Sequence, residues 1–286
     1  MTQNVPLVSV CMPVYRSERF VAEAIHSVLS QSFTDFELIV VDDASPDATH
    51  EIASSIQDPR LRVYRNEQNL GPEGNWNRCM GMARGQYIKV LPGDDTLYPV
   101  CLEDQVGVLE DVLNQDVVLT YCARDIVDGG GRRVMRAKFP GHGLINAASL
   151  VRRTIRYGGN IIGEPGAVLF RADAAAKAGK FDASLGFVTD LDYWVRLLKF
   201  GNAYAISDVL CTFRISGENW SIALGENRCS QYLEFLDKLA VLDTRLSTFD
   251  LQIGRLMARV NEKLRRLVYR HLIGLRSHHE VTHDGR

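Results

Sequence analysis

Short β-branched apolar runs alternate with helical periodicities over the first hundred residues. Residues 7–12, LVSVCM, read as a buried strand, and SERFVAEAIHSVLSQ follows it. There Phe20, Val21, Ala24, Ile25, Val28 and Leu29 recur at helical spacing behind Ser17, a candidate N-cap. FELIVVDD, LRVYRN and QYIKVL continue as strands, with PDATHEIASSI and GNWNRCMGMA between them as helices. Near-continuous apolar strands separated by amphipathic helices predict a parallel sheet covered on both faces, the start of a doubly wound α/β fold.

The pattern loosens from about residue 117. VVLTYCARDIVDGGGRRV reads as a strand, a glycine-rich turn and a return strand, and HGLINAASLVRRTIRYG reads as helical. GAVLFRADAAAKAG begins as a strand and turns helical, and DLDYWVRLLKFG is a helix stopped by Gly201. Two further helices fill the chain beyond residue 222. The second, residues 251–276, carries Ile253, Leu256, Met257, Val260, Leu264, Leu267 and Val268 on one stripe, with seven basic residues against one acid, Glu262. It can pack back on the rest of the chain, pair with a second subunit, or lie on an anionic membrane surface.

Sheets of this kind bind ligands beyond the carboxyl ends of their strands. Polar, turn-forming clusters fall there: PVYRS after the first strand, DDASPD after the second, NEQNLGPEGN after the third and PGDDT after the fourth. The arrangement fits a nucleotide or phosphate site, or a set of solvated turns. Asp94 and Asp95 repel each other unless a proton or cation intervenes, and a hard divalent ion such as Mg2+ or Mn2+ would relieve that repulsion while meeting phosphate. A solvated Asp-Asp turn is the plainer alternative. Asp42-Asp43 repeats the device one strand away, where a carboxylate can accept from a pyrimidine N–H or ribose hydroxyls. The chain has neither G-x-G-x-x-G after its first strand nor a G-x-x-x-x-G-K-[ST] loop, against a dinucleotide fold or a P-loop.

With 286 residues, 46% apolar and 24% charged, the chain has the composition of an ordinary globular protein, and its formal charge of -2 gives no field for nucleic acid. The six cysteines are scattered without C-x-x-C spacing and read as reduced and structural, which implies a cytoplasmic protein. No signal-peptide pattern is present, nor any run near the roughly 18 apolar residues needed to span a bilayer.

The segments VSVCMPVYRSERFVAEAIHSVLSQSFTDFELIVVDDASPDAT, NLGPEGNWNRCMGMARGQYIKVLPGDD, GEPGAVLFR and DLDYWVRLLKFG, in this order, resemble the bacterial family 2 glycosyltransferases over residues 7–221. The resemblance implies an A-type glycosyltransferase fold, a Rossmann-like mixed, mainly parallel sheet with flanking helices. Residues 1–221 would form the nucleotide-sugar-binding and catalytic domain, and residues 222–286 a C-terminal helical extension. It also implies a UDP- or dTDP-sugar donor, a divalent metal (Mn2+ or Mg2+), and inverting transfer to a saccharide or lipid-linked acceptor in cell-surface polysaccharide or glycolipid synthesis. Pro13 and Tyr15 match positions lining the nucleobase and ribose pocket, and Asp43 the pyrimidine-reading aspartate. The family often reads LDADD where this chain has LPGDD, so Pro92 replaces an acid. The metal role then rests on Asp94 and Asp95, with Asp95 the better candidate for direct coordination and Asp94 beside it in the donor site.

An acceptor hydroxyl must lose its proton as it attacks, and the resemblance gives that role to Asp190. Asp192 would orient neighbours or cap the turn. Glu164, with Gly163 and Pro165, would form a wall of the acceptor site or an ordinary turn. A second departure is Ser216, where related sequences carry a histidine; a serine does not replace imidazole as a strong ligand. Trp76, Trp194 and Trp220 could each stack on a sugar, although Trp194 reads as core, and His278, His279 and His283 read as a disordered tail. A degenerate domain that binds nucleotide sugars or acts as a scaffold without catalysis is the alternative. A nucleotidyltransferase, the third class, would not account for the order of motifs around Asp190.

Overall fold

The computed structural model describes residues 5–138, 141–216 and 227–272, and in residues 265–272 the backbone alone. Strand β1 (Val8–Val14) and strand β2 (Phe36–Asp42) are buried at every position, as strands with both faces covered must be. They run parallel with Val14 level with Asp42, so both chains leave the sheet at the same height. Strand β3 (Leu61–Arg65) pairs with β2 and strand β4 (Tyr87–Val90) with β1, both parallel. Between them lie helices α1 (Val21–Leu29), α2 (Thr49–Ser55) and α3 (Gly71–Gly81). Helix α1 buries Val21, Ala24, Ile25 and Val28, the stripe read from the sequence.

Ser17 does not cap α1. Its backbone carbonyl accepts from Phe20 and Val21, while its own N–H donates to Thr49 Oγ1 at 2.8 Å. The chain turns sharply at Arg16, whose φ of 51° lies in the left-handed region, and this hands the strand end over to the second loop before the helix starts.

Past β4 the sheet changes character. After helix α4 (Cys101–Glu110) come β5 (Val117–Asp128), β6 (Arg133–Ala137) and β7 (Gly143–Ile145). Helix α5 (Ala147–Tyr157) precedes β8 (Val168–Arg171), and helices α6 (Ala172–Ala178) and α7 (Thr189–Leu197) lead to β9 (Asn202–Ile215). The order is β3-β2-β1-β4-β8-β5-β9-β7, with β6 paired to β5. Strand β8 is antiparallel to β4 and β5, and β9 is parallel to β5, giving a mixed sheet.

Strand β9 does not show in the hydrophobic pattern. Ser207 and Asp208 are exposed in its middle and break the alternation, and the pairing jumps there from Cys122–Ile206 to Ala123–Val209. Nor is Gly201 a helix cap: α7 ends at Leu197, and a Cβ at Gly201 would lie 2.4 Å from the Asp116 carbonyl. The glycine is needed where β9 enters beside β5.

Helices α8 (Arg228–Leu242) and α9 (Thr248–Leu272) complete the described chain. Tyr232, Phe235, Leu236, Leu239, Leu251 and Ala258 join the apolar core that also holds Ile39, Phe170 and Trp194, on one face of the sheet. Helices α1 and α4 cover the other face. The expected boundary at residue 221 falls outside the described residues, as do Trp220 and the three tail histidines. Helix α9 does not pack through all of its expected apolar stripe: Leu251, Gly254 and Ala258 are buried, while Leu256, Val260 and Leu264 face outward.

Candidate active site

The carboxyl ends of β1 and β2, level with each other, and the segment that follows β4 open into a cavity of about 700 Å³. Pro13 and Tyr15 from the end of β1, Asp43 from β2, and Pro92, Gly93 and Asp94 after β4 border it, with Trp76 of α3 and Ser216 after β9. Tyr15 is 44% exposed and offers its ring to the opening, with the Arg16 guanidinium 5.3 Å from its centroid. Its stacking surface is therefore presented rather than buried in the core.

Asp43 is held from several sides. Its Oδ1 accepts from Asn66 Nδ2 at 2.5 Å and from the Leu70 N–H at 2.8 Å, and its own N–H donates to the Val14 carbonyl. Asn66 also donates to Asn75 Oδ1, and Asn75 donates to the Val41 carbonyl, so an asparagine chain fixes the carboxylate against the sheet. Asp42 is structural instead. Fully buried, it meets Arg65 at 3.3 Å and accepts from the Ser45 N–H. Successive residues leaving a strand point to opposite sides, so the adjacent carboxylates diverge, and after them Ala44 turns the chain at a φ of 55°.

At the fourth strand end Gly93 approaches β1 so closely that a Cβ would sit 2.5 Å from Val14 Cγ1. Asp94 borders the cavity. Asp95, 1% exposed, turns inward and accepts from the Arg214 N–H at 2.8 Å. Arg214 Nε donates to the Asp94 carbonyl, and its guanidinium reaches Glu23 at 2.7 Å, which ties the acidic turn to β9. Loss of water pushes Asp94 up to about 6, against the pull of Arg214. Asp95 is raised first by burial and then by the charge of Asp94.

Asp94 and Asp95 are the residues that would hold a divalent ion, and of the two Asp94 borders the cavity. No cluster of three or more His, Cys, Asp or Glu able to hold a metal occurs among the described residues. Two carboxylate donors fit a hard cation that keeps waters and takes its remaining ligands from substrate phosphates.

Glu164 and Asp190 stand beside this cavity rather than on its wall. Asp190 is in the first turn of α7. Its Oδ2 accepts from Asn160 Nδ2 at 2.9 Å and its Oδ1 from the Leu191 N–H at 2.7 Å. Burial first, and then the negative charge of Glu164, push it up to about 7, with Arg124 and the hydrogen bonds opposing. Glu164 is ion-paired with Arg124 of β5, and its charge also raises Asp95. It thus links the acidic turn to Asp190 through the field. Gly163, at φ +123°, leaves room for Arg124: a Cβ there would lie 3.2 Å from its Nη1.

Trp194 is core, fully buried with its Nε1 donating to the Gly163 carbonyl at 3.0 Å. Asp192 faces away from Asp190 and binds Arg196 at 2.7 Å and Lys238 of α8 at 3.1 Å. Arg124, Asn160, Arg214 and the Asn66–Asn75 chain escape a reading of the sequence. Each is a polar residue in or beside an apolar run, a signal that shows a buried partner without saying which.

A family model described as glycosyl transferase family 2 matches residues 9–176. The chain belongs to glycosyltransferase family 2. An uncharacterised protein of Mycobacterium tuberculosis is 35% identical to this glycosyltransferase over 205 residues, 68% of this chain and 62% of that protein's length. An uncharacterised glycosyltransferase of Rickettsia prowazekii is 31% identical over 261 residues, covering 84% and 75%. Succinoglycan biosynthesis protein ExoO of Rhizobium meliloti is 40% identical over 121 residues, 40% and 35% of the two chains. Thus the glycosyltransferase spans less than two thirds of the mycobacterial relative.

Among solved structures, S. aureus TarS 1-349 in complex with UDP-GlcNAc superposes with a TM-score of 0.69 at 20% identity, covering 94% of this chain and 76% of that one. The mannosyltransferase PcManGT of Pyrobaculum calidifontis, in complex with GDP-Man and Mn2+, gives 0.60 at 17% identity, covering 92% and 70%. At those identities the likeness shows the fold, the A-type glycosyltransferase fold.

Proposed function

We propose that this glycosyltransferase moves a sugar from a UDP- or dTDP-sugar to an acceptor hydroxyl with inversion, in polysaccharide or glycolipid synthesis. The observation that carries the reading is the placement of Asp190, pushed up to about 7, beside a cavity bordered by Tyr15, Asp43 and Asp94. A carboxylate that binds its proton near neutrality is suited to take one from an attacking hydroxyl. UDP-GlcNAc in TarS, and the succinoglycan role named for ExoO, support the donor class and the setting.

In this reading Tyr15 and Pro13 hold the nucleobase and ribose, and Asp43, fixed by Asn66 and the Leu70 N–H, accepts from the base. Asp94 and Asp95 would hold the divalent ion, Asp94 from the cavity wall, and the Mn2+ of the Pyrobaculum calidifontis mannosyltransferase complex supports such an ion. When bound, that ion would offset the charge of the leaving diphosphate. Glu164 and Asn160 line the acceptor side and set the proton affinity of Asp190. Attack from the face opposite the diphosphate, with the proton passing to Asp190 Oδ2 or Oδ1, is a single displacement and inverts the anomeric centre. Six free thiols, five of them buried, support a reducing, cytoplasmic setting.

The test is a thermal-shift series with UDP, dTDP and GDP and their sugars, with and without Mn2+ or Mg2+, since a ligand of the folded state raises its melting temperature. A metal-enhanced shift with UDP or dTDP is expected. The absence of a shift with every nucleotide would sink the donor assignment.

A further inference from the structure

Helix α9 has two faces of unlike chemistry. On one, Leu251, Gly254 and Ala258 are buried against α5, so closely that a Cβ on Gly254 would lie 2.7 Å from the Ile155 carbonyl. At about 100° per residue, Phe249, Leu256, Val260 and Leu264 gather on nearly the opposite side. All four are exposed, Phe249 at 62%, Leu256 at 60% and Leu264 at 55%. Four large apolar side chains in one row on a helix already anchored by its other face are not the scattered hydrophobes of an ordinary surface.

The row has a charged border. Arg255, Arg259 and Lys263 follow one another at four-residue spacing along one side of it; Arg255 reaches Asp237, and Arg259 and Lys263 are exposed. At the start of the row the Arg156 guanidinium of α5 stands 5.7 Å from the Phe249 ring. The other border carries Met257 and Asn261, and the acids nearby are Asp250, ion-paired with Arg156, and Glu262, three residues on from Arg259. A second copy of this face would bring more cations than carboxylates to Arg259 and Lys263. A surface that is apolar beneath and anionic above would meet both parts.

We propose that this face of α9 lies on an anionic lipid surface, with Phe249, Leu256, Val260 and Leu264 entering the headgroup boundary and Arg259 and Lys263 meeting lipid phosphates. Its position bears on the site. Asn261 donates to the Tyr157 carbonyl at 2.6 Å, Tyr157 is 55% exposed, and Asn160, three residues further on, holds Asp190. The acceptor edge of the site therefore lies one short loop from the bound surface, an arrangement that would serve an acceptor carried by a lipid. The membrane contact itself does not depend on the catalytic reading.

The test is sedimentation of the full chain with phosphatidylcholine vesicles and with vesicles containing phosphatidylglycerol, without donor or acceptor, so that its failure is separate from failure of the nucleotide-sugar reading. Binding to the anionic vesicles is expected, weakened by high salt. The Leu256→Ser/Val260→Ser and Arg259→Glu/Lys263→Glu variants, altered only at exposed positions, should each bind about tenfold more weakly or worse. Their unchanged melting temperatures would show that folding is intact. Equal binding by wild type and both variants, or no binding to anionic vesicles, would overturn the proposal. So would a dimer in sedimentation velocity that Leu256→Ser/Val260→Ser dissolves, because a second copy would then own the face.

Discussion

Replacing Asp190 by Asn should remove transfer and at the same time stabilise the protein in a pH-dependent way. The folded carboxyl, pushed from 3.8 to about 7, keeps a proton that the unfolded chain has already released. Between those values the folded state binds more protons, so stability falls as pH rises through the window, and the loss is complete above the folded value. At 1.36 kcal/mol for each tenfold change in proton affinity, the cost is roughly 4 kcal/mol at about pH 8 and roughly 2 kcal/mol at about pH 5. Asn carries no such cost. It does lose one acceptor facing Asn160, worth about 1 kcal/mol, but that loss is the same at both pH values.

The quantity to measure is therefore the difference: the stability of Asp190→Asn relative to wild type should be about 2–3 kcal/mol more favourable at pH 8 than at pH 5. Urea unfolding at the two pH values measures it. A relative stability that does not change with pH would show that Asp190 is an ordinary carboxylate, and the proton-accepting role would fall with it. The same variant should keep its donor affinity.

Further outcomes follow from neighbouring residues. Asn160→Ala removes a hydrogen bond that favours the ionised form of Asp190. The acid limb of its pH–rate profile should move to higher pH, whereas a fall in rate with no movement would count against the contact. Asp94→Asn should weaken metal-supported donor binding by about tenfold or more in calorimetry while leaving metal-free nucleotide binding unchanged. Gly93→Ala must push Val14 aside, since the new Cβ lies 2.5 Å from its Cγ1. A cost of about 1–3 kcal/mol in unfolding and weaker donor binding are expected. At Gly158 a Cβ would meet the Ala258 backbone N at 2.4 Å on a φ of +75°; Gly158→Ala should cost about 2 kcal/mol or more, read as a lower urea midpoint.

The parallel half of the sheet is legible because its strands are apolar throughout and its helices keep one stripe. The strand ends are legible too, since Asp43 and Asp94 come within three residues of the apolar runs ELIVV and YIKVL. What the sequence does not show is pairing across distance. Arg214 sits 119 positions from Asp95, whose carboxylate its N–H meets, and nothing local in FRIS announces that contact. Arg124 looks like a charge in a strand until β5 brings it to Glu164. Helix α9 is legible only in part because large side chains define a stripe in sequence, whereas close helix contact is made by small ones, here Gly254 and Ala258. Strand β9 is hidden by two polar residues whose exposure is absorbed by a bulge.

Asp190 and Asp192 are separated by a single residue, yet the second belongs to architecture: its carboxylate is shared by Arg196 and Lys238 of α8. A chain cut at residue 221 would leave that buried acid with one cation instead of two, on the helix that carries Asp190, the proposed proton acceptor. The helices after residue 227 thus brace the start of α7, and a fragment without them would lose rigidity around Asp190. Minimal versions of this enzyme should be shortened from the far end of α9, not from the sheet outward.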